Sequence, residues 1–358
     1  NMTPLLKDMT YIEDAISSMS GKTVVFWGAG RRMRGFLRDC CMERKLLPMP
    51  DFICDSTRDV PESHIEGVPV MNYENLKKRN SGNTVIIITA GLLELQAQVV
   101  PSEFYYFPVY HCRSFEAYLF LKDKLQDYTR VMELLEDERS RQVYESIFRN
   151  LLNGSLWCQS LFNPNPYYGN DVVKQLRDDE QIVLAGAFNG KHIDRALANN
   201  SRIHFCAFEP NSMWNKYLVD KYSGMSNIEI HNKVLWNKRE LLEFDGDALH
   251  GGLDARVNRN SQDNPDLVVE GVDMDSFLTF KPTLIALDVE GSEENAIRGA
   301  SNIIVHERPK LAICLYHKLN DYVNLPLLII EMMRTNPYKL YIRHHSCITA
   351  IETVLYAL

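Results

Sequence analysis

The chain has 358 residues, 45% hydrophobic and 24% charged, with a net charge of −8. That is the make-up of an ordinary globular protein, long enough for two domains with cores of their own. The negative balance argues against a general binder of nucleic acid or anionic membrane. No apolar run approaches the ~20 residues that span a bilayer, and the start lacks the basic-then-apolar order of a secretory signal.

Residues 3–20 place Leu5, Leu6, Met9, Ile12, Ile16 and Met19 at helical spacing. A buried strand over Lys22–Trp27 then runs into Gly28-Ala-Gly30-Arg31 and a helix to about Lys45. A strand, a glycine-rich turn and a helix start can hold a phosphate against backbone N–H groups. Met33 stands where the third glycine of the dinucleotide fingerprint belongs. Asp51–Asp55 reads as a second strand, ending in the acid that would meet a ribose. Gly28, Gly30, Arg31 and Asp55 are therefore candidate nucleotide contacts, and the alternative is a tight turn that serves only packing. Gly67–Val70 is a short strand or turn, Thr84–Thr89 a buried strand followed by a helix after Ala90-Gly91, and Phe104–Phe107 a closing strand. Residues 1–113 are expected to form a Rossmann-like domain, 114–160 a helical connector and 161–358 a second α/β domain.

In that second domain Gln181–Ala185 is a strand, Gly186–Gly190 a glycine-rich turn and 191–199 a helix. Ile203–Phe208 is the next strand, with Glu209-Pro210 at its end. A helix over 211–223 follows, then strands at Asn227–His231 and Val234–Trp236. Residues 245–266 are rich in Gly, Asp and Asn without periodicity, a lid or a structureless stretch. Leu284–Leu287 is a fully buried strand with Asp288 and Glu290 at its tip, Gly291 in the turn and a helix from Glu293 with acids in its first turn. Lys310–Leu315 ends in Tyr316-His317-Lys318, Leu325–Arg334 is a helix, and Tyr338–Ile342 and Glu352–Tyr356 are the last strands. Eight cysteines form no Cys-x-x-Cys pair, and Cys54, Cys206 and Cys314 sit inside apolar strands as small core residues. Reduced thiols and a cytoplasmic location are expected.

Six pieces stand together: Ala185-Gly-Ala-Phe-Asn-Gly190, Ala207-Phe-Glu-Pro210, Leu287-Asp-Val-Glu-Gly-Ser-Glu293, Leu315-Tyr-His-Lys318, Tyr341-Ile-Arg-His344 and Glu352-Thr-Val-Leu-Tyr-Ala357. In this order and spacing the chain resembles the FkbM family of S-adenosylmethionine (SAM) methyltransferases over about 165–358, with the N-terminal Rossmann-like domain that some members carry. The resemblance implies a class I methyltransferase domain with a seven-stranded sheet. It implies that Gly186, Ala187, Asn189 and Gly190 face the methionine part of SAM, and that Glu209 and Pro210 meet the ribose. Val234 and Leu235 would line the adenine, Tyr168 would cover the cofactor, and Asp288 and Glu290 would face the transferred methyl group. The family's usual acid at the end of the first strand is replaced by Leu184, which removes one holder of the cofactor's amino-acid end.

Methyl transfer to a hydroxyl needs alignment and a base. His317, Asp288 and Glu290 are the candidates, and His317 is favoured because an imidazole titrates near neutrality. Two plainer roles stay open: His317 bonding a neighbouring loop, and the two acids bonding N–H groups of the next helix. His344-His345 with His317 and a carboxylate could suggest a metal, but adjacent histidines in a strand point to opposite faces and do not easily reach one ion, so no metal is expected. Arg343 either pairs with an anionic acceptor or serves as a structural partner. The expected reaction is O-methylation of a sugar or other small metabolite, as in polysaccharide, glycolipid or natural-product tailoring. The alternative is a catalytically degenerate fold that binds a nucleotide or nucleotide sugar as a scaffold. The acceptor is a small molecule, no nucleic-acid partner is expected, and a homo-oligomer is open.

Overall fold

The computed structural model describes residues 3–55, 64–78, 83–89, 109–153, 161–244, 257–258, 268–346 and 352–358. The chain divides into two compact units, Asn1–Leu125 with Glu145–Leu156, and Gln126–Tyr144 with Trp157–Leu358.

The first unit is built on β1 (Thr23–Trp27), β2 (Phe52–Asp55), β3 (His64–Ile65), β4 (Val68–Asn72), β5 (Thr84–Ile88) and β6 (Val109–His111). Their order is β3-β4-β2-β1-β5-β6. All neighbours are parallel except β3 and β4. The central β1 and β5 are Val/Ile-rich and buried on both faces, as a parallel sheet demands. The helix Arg31–Phe36 widens into a π-helical turn over Leu37–Glu43, which buries Leu37, Cys40 and Cys41. The expected strand at 104–107 and the helix after Gly91 lie outside the described residues.

The second unit carries β7 (Gln181–Ala185), β8 (His204–Phe208), β9 (Ile228–His231), β10 (Val234–Leu235), β11 (Glu240–Phe244), β12 (Val257–Asn258), β13 (Val268–Val272), β14 (Leu284–Leu287), β15 (Lys310–Cys314), β16 (Leu340–His344) and β17 (Thr353–Ala357). Seven of these form one sheet in the order β16-β17-β15-β14-β7-β8-β9. β17 alone runs antiparallel to its neighbours. The chain reverses direction across the sheet between β7 and β14, so the crevice at their carboxyl ends is where this architecture receives ligands. The strands expected in this unit from apolar runs are present, and the fold is the α/β, Rossmann-like class read from the sequence.

A second sheet, β10-β13-β11-β12, was not foreseen. Most of 245–266 lies outside the described residues, but Val257–Asn258 pairs antiparallel with β11 and so is not structureless. β11 escapes a sequence reading because its partner β13 is remote, and an exposed Leu241 blurs its pattern.

Arg343 on β16 is a structural residue. Its guanidinium is 3% exposed and lies 2.6 Å from Asp137 and 2.8 Å from Asp171. It also donates to Ser140 Oγ and to the Ile342 carbonyl. With those donors committed, the contacts favour the structural role of the two left open for Arg343. His344 Nδ1 lies 2.9 Å from Thr353 Oγ1, while His345 Nδ1 lies 2.7 Å from the Asn163 carbonyl.

Candidate active site

Three strand tips meet at the crevice. The loop after β7 begins at Gly186, with φ of +82°. A Cβ built there would lie 2.0 Å from the Asp288 carbonyl oxygen. At Gly190, with φ of +78°, a Cβ would lie 2.3 Å from the Tyr222 hydroxyl. Both glycines are thus demanded by close approach within the protein itself, whatever ligand they also admit. Ala187 is buried and donates its N–H to the Phe208 carbonyl. The Asn189 side chain accepts from Lys191 N–H at the start of the helix Lys191–Asn199.

Glu209 follows β8 and is 6% exposed. Its two carboxylate oxygens accept from Phe188 N–H at 2.7 Å and Asn211 N–H at 2.9 Å. Burial raises its carboxyl above the usual range despite those bonds, and among the described residues no cation offsets it. Each oxygen has a lone pair left for a further donor. Phe188 adopts a φ of +47°, a strained conformation that turns its N–H onto the carboxylate. The carbonyls of Glu209 and Pro210 both accept from Asn232 Nδ2. Val234 and Leu235 are buried on β10, which runs beside β13.

Asp288 follows β14. Its Oδ2 accepts from Tyr167 O–H and its Oδ1 from Tyr316 O–H, each at 2.9 Å. His317, two residues beyond Leu315, brings a side chain that is 4% exposed. Its Nε2 lies 3.4 Å from both Asp288 Oδ1 and Glu290 Oε2, and its Nδ1 lies 2.8 Å from Glu293 Oε1. Glu293 is fully buried and also accepts from Val289 N–H. Burial by itself would lower the imidazole, but Glu293, Asp288 and Glu290 outweigh it and raise His317 to about 9. The near-neutral titration expected of His317 is shifted upward by its three carboxylate neighbours. Glu290 and Gly291 both have positive φ, +51° and +92°. That turn aims Glu290 at the imidazole and costs an ordinary residue ~1–2 kcal/mol.

Asp288, Glu290 and His317 thus come together at one point, with the Gly186 loop packed against the Asp288 backbone. Glu209 stands two strands away on the same edge of the sheet. Tyr168 does not join them. Its hydroxyl bonds the His192 carbonyl, Arg195 covers its ring at 4.7 Å, and its side chain is in the core. The preceding Tyr167, with φ of +71°, reaches Asp288 instead. Leu184 is fully buried in the same core cluster. Sequence reasoning missed Tyr167, Tyr316 and Glu293; the available signal for the two tyrosines was their position beside Tyr168 and His317, and Glu293 carried none.

In the first unit, Gly28 has φ of +113° and donates its N–H to the Cys54 carbonyl. Thr89 Oγ1 donates to the carbonyls of Trp27 and Gly28. Gly30 caps the helix that begins at Arg31, and Asp55 ends β2. Met33 is fully buried, so the place of the missing glycine is filled by core.

The tyrosine that positions Asp288 depends on a neutral histidine. Tyr356 O–H accepts from Tyr167 N–H and from Asn170 Nδ2, and lies 2.8 Å from His345 Nε2. With Nδ1–H given to Asn163, Nε2 must accept. Burial, only partly offset by the Asn163 bond, lowers His345 to about 4. A folded value below the ordinary ~6.5 means stability that is complete above pH ~6.5 and lost as pH falls toward 4. Wild type compared with His345→Gln by urea denaturation should show a constant difference above that pH. Below it the difference should fall by about 1 kcal/mol per pH unit. A difference independent of pH would show that His345 is not held neutral.

Among the described residues no helix is long and apolar enough to cross a membrane. The described Cys40, Cys41, Cys54, Cys112, Cys206 and Cys314 are free and buried. No curated protein matches the chain. Among solved structures, methyltransferase FkbM from Methylobacillus flagellatus KT shares the fold, with a TM-score of 0.62 and 18% identity over 97% of this chain and 93% of that one. An rRNA methylase from Streptococcus thermophilus also matches, with a TM-score of 0.32 and 14% identity over 51% of this chain and 88% of that one. The family model of the methyltransferase FkbM domain matches residues 148–343, more than half of the sequence. The chain therefore belongs to the FkbM methyltransferase family.

Proposed function

We propose that the chain is a SAM-dependent methyltransferase acting on a hydroxyl of a sugar or other small metabolite. The observation that carries this reading is Glu209, a buried carboxylate at the tip of β8 with spare lone pairs and no cation against it among the described residues. The vicinal hydroxyls of a ribose are donors of the right kind for it. SAM, when bound, supplies a methyl group on a sulfonium, open to in-line attack by an oxygen. The loop from Gly186 to Gly190 would hold its amino-acid end, and Val234 and Leu235 its base. Leu184, buried in the core, contributes nothing polar there, so Glu209 bears more of the binding.

The acceptor belongs at Asp288 and Glu290. The proton of the acceptor hydroxyl passes to a carboxylate of this pair, and His317, 3.4 Å from an oxygen of each, holds the pair in place.

Calorimetry with SAM and S-adenosylhomocysteine tests the reading. Micromolar binding is expected for the wild type. Glu209→Ala should weaken it by about 100-fold, the worth of two hydrogen bonds to a charged group. No detectable binding by the folded wild type would remove the methyl-transfer reading and leave the scaffold alternative.

A further inference from the structure

We infer that Asp288, Glu290 and His317 form a site for a divalent cation of the zinc type, and that the cation's open position takes the acceptor hydroxyl. The second clause rests on the methyl-transfer reading; the first does not.

The geometry is that of a coordination shell. One oxygen of Asp288, one of Glu290 and a ring nitrogen of His317 all lie within 4.8 Å of one another. Both oxygens are 3.4 Å from His317 Nε2. Ligands at ~2.1 Å from a tetrahedral ion are about 3.4 Å apart along each edge, so those two edges already fit. Three protein ligands with one position open is the arrangement of a catalytic rather than a structural zinc.

The second observation is the state of His317. Its side chain is 4% exposed, neither ring nitrogen makes a hydrogen bond among the described residues, and Nε2 stands 3.4 Å from an oxygen of each of the two carboxylates. Behind it, Nδ1 faces the fully buried Glu293 at 2.8 Å. A carboxylate on the far nitrogen orients a ligating imidazole and leaves its near nitrogen for the ion. Asp288 is oriented likewise by Tyr167 and Tyr316. The surroundings carry more negative than positive charge. Three carboxylates, of Asp288, Glu290 and Glu293, each have an oxygen within 3.4 Å of a His317 ring nitrogen. Lys318, bonded to the Gly291 carbonyl, and Lys191, which acts on Glu352, are neighbouring cations. A dication in the cluster relieves that excess.

Cys206, Glu229 and His231 also lie within ligand distance of one another. That set is less prepared: Glu229 is half exposed and is shared between His204 and His231.

The test is calorimetric titration of the EDTA-treated full chain with Zn²⁺ alone, without methyl donor. One equivalent should bind. Glu290→Gln and Asp288→Asn should each lose more than the roughly 10-fold that an outer-shell partner is worth, while His231→Gln binds as the wild type does. The Co²⁺ form should show no sulfur-to-cobalt charge-transfer band. If Glu290→Gln does not fold, Asp288→Asn gives the same reading. No Zn²⁺ binding, binding that survives both carboxylate changes, loss in His231→Gln, or a thiolate band would each overturn the site. SAM calorimetry on the same protein remains independent, so failure of the cation site and failure of donor binding are told apart.

Discussion

Gly186→Ala is expected to cost about 4 kcal/mol of stability in the second unit, at the upper end of single substitutions, and to abolish donor binding. The added Cβ would sit 2.0 Å from the Asp288 carbonyl oxygen, well inside van der Waals contact. The obstacle is backbone, so no side chain can turn away. A φ of +82° adds the ~1 kcal/mol penalty of a left-handed conformation for a residue with a Cβ. Relief requires parting the loop from the β14 tip. Yet Gly186 N–H is bonded to Phe208 O and Asp288 N–H to Ala185 O, each at 3.0 Å. Separation therefore breaks sheet-end hydrogen bonds and moves Asp288 at the same time. Urea denaturation with far-UV circular dichroism measures the loss, and calorimetry with SAM measures binding. A variant within about 1 kcal/mol of wild type would show that the approach of the two tips is not as tight as described.

Arg343→Met should lower stability by about 3 kcal/mol, the low end for breaking a buried ion pair by removing one partner. The methionine fills similar volume, so the cost is electrostatic rather than a cavity. Two carboxylates lose their counter-ion. Burial opposes the ionised form of Asp137, but Arg343 and Ser140 outweigh it and hold that carboxyl at about 2. The low-end figure follows from exposure: Asp137 and Asp171 side chains are 35% and 41% exposed and can rehydrate. At ~2–4 °C per kcal/mol for a domain of this size, the melting point should fall by about 10 °C. Adding Asp137→Asn should recover part of it, because the double variant leaves one fewer uncompensated charge. A melting point within about 2 °C of wild type would mean that Arg343 carries no structural load and return it to the list of anion-binding candidates.

Neither change touches Glu209, His317 or Glu290. Arg343→Met therefore probes the frame alone, whereas Gly186→Ala also reports on the cofactor loop and on Asp288.

What the sequence by itself determined is the frame and the place of its chemistry. The runs read as strands at 181–185, 203–208, 284–287, 310–315, 338–342 and 352–356 each overlap a strand of one sheet. A strand buried on both faces must be apolar along its length, and that pattern is local. Polar residues just past such runs fall at strand ends, so Glu209, Asp288 and His317 could be put on the ligand edge by counting.

Only the tertiary structure decided how those residues are used. Of two adjacent tyrosines, the turn at Tyr167 sends that one to Asp288 and Tyr168 into the core. Glu293, indistinguishable in sequence from any acid in a first helical turn, is fully buried against His317. Arg343 is committed to Asp137 and Asp171, 206 and 172 positions away. β11 exists through β13. Pairing, burial and charge state depend on contacts between residues distant in the chain. No local pattern encodes which acid will stand beside a histidine, and those neighbours set its proton affinity.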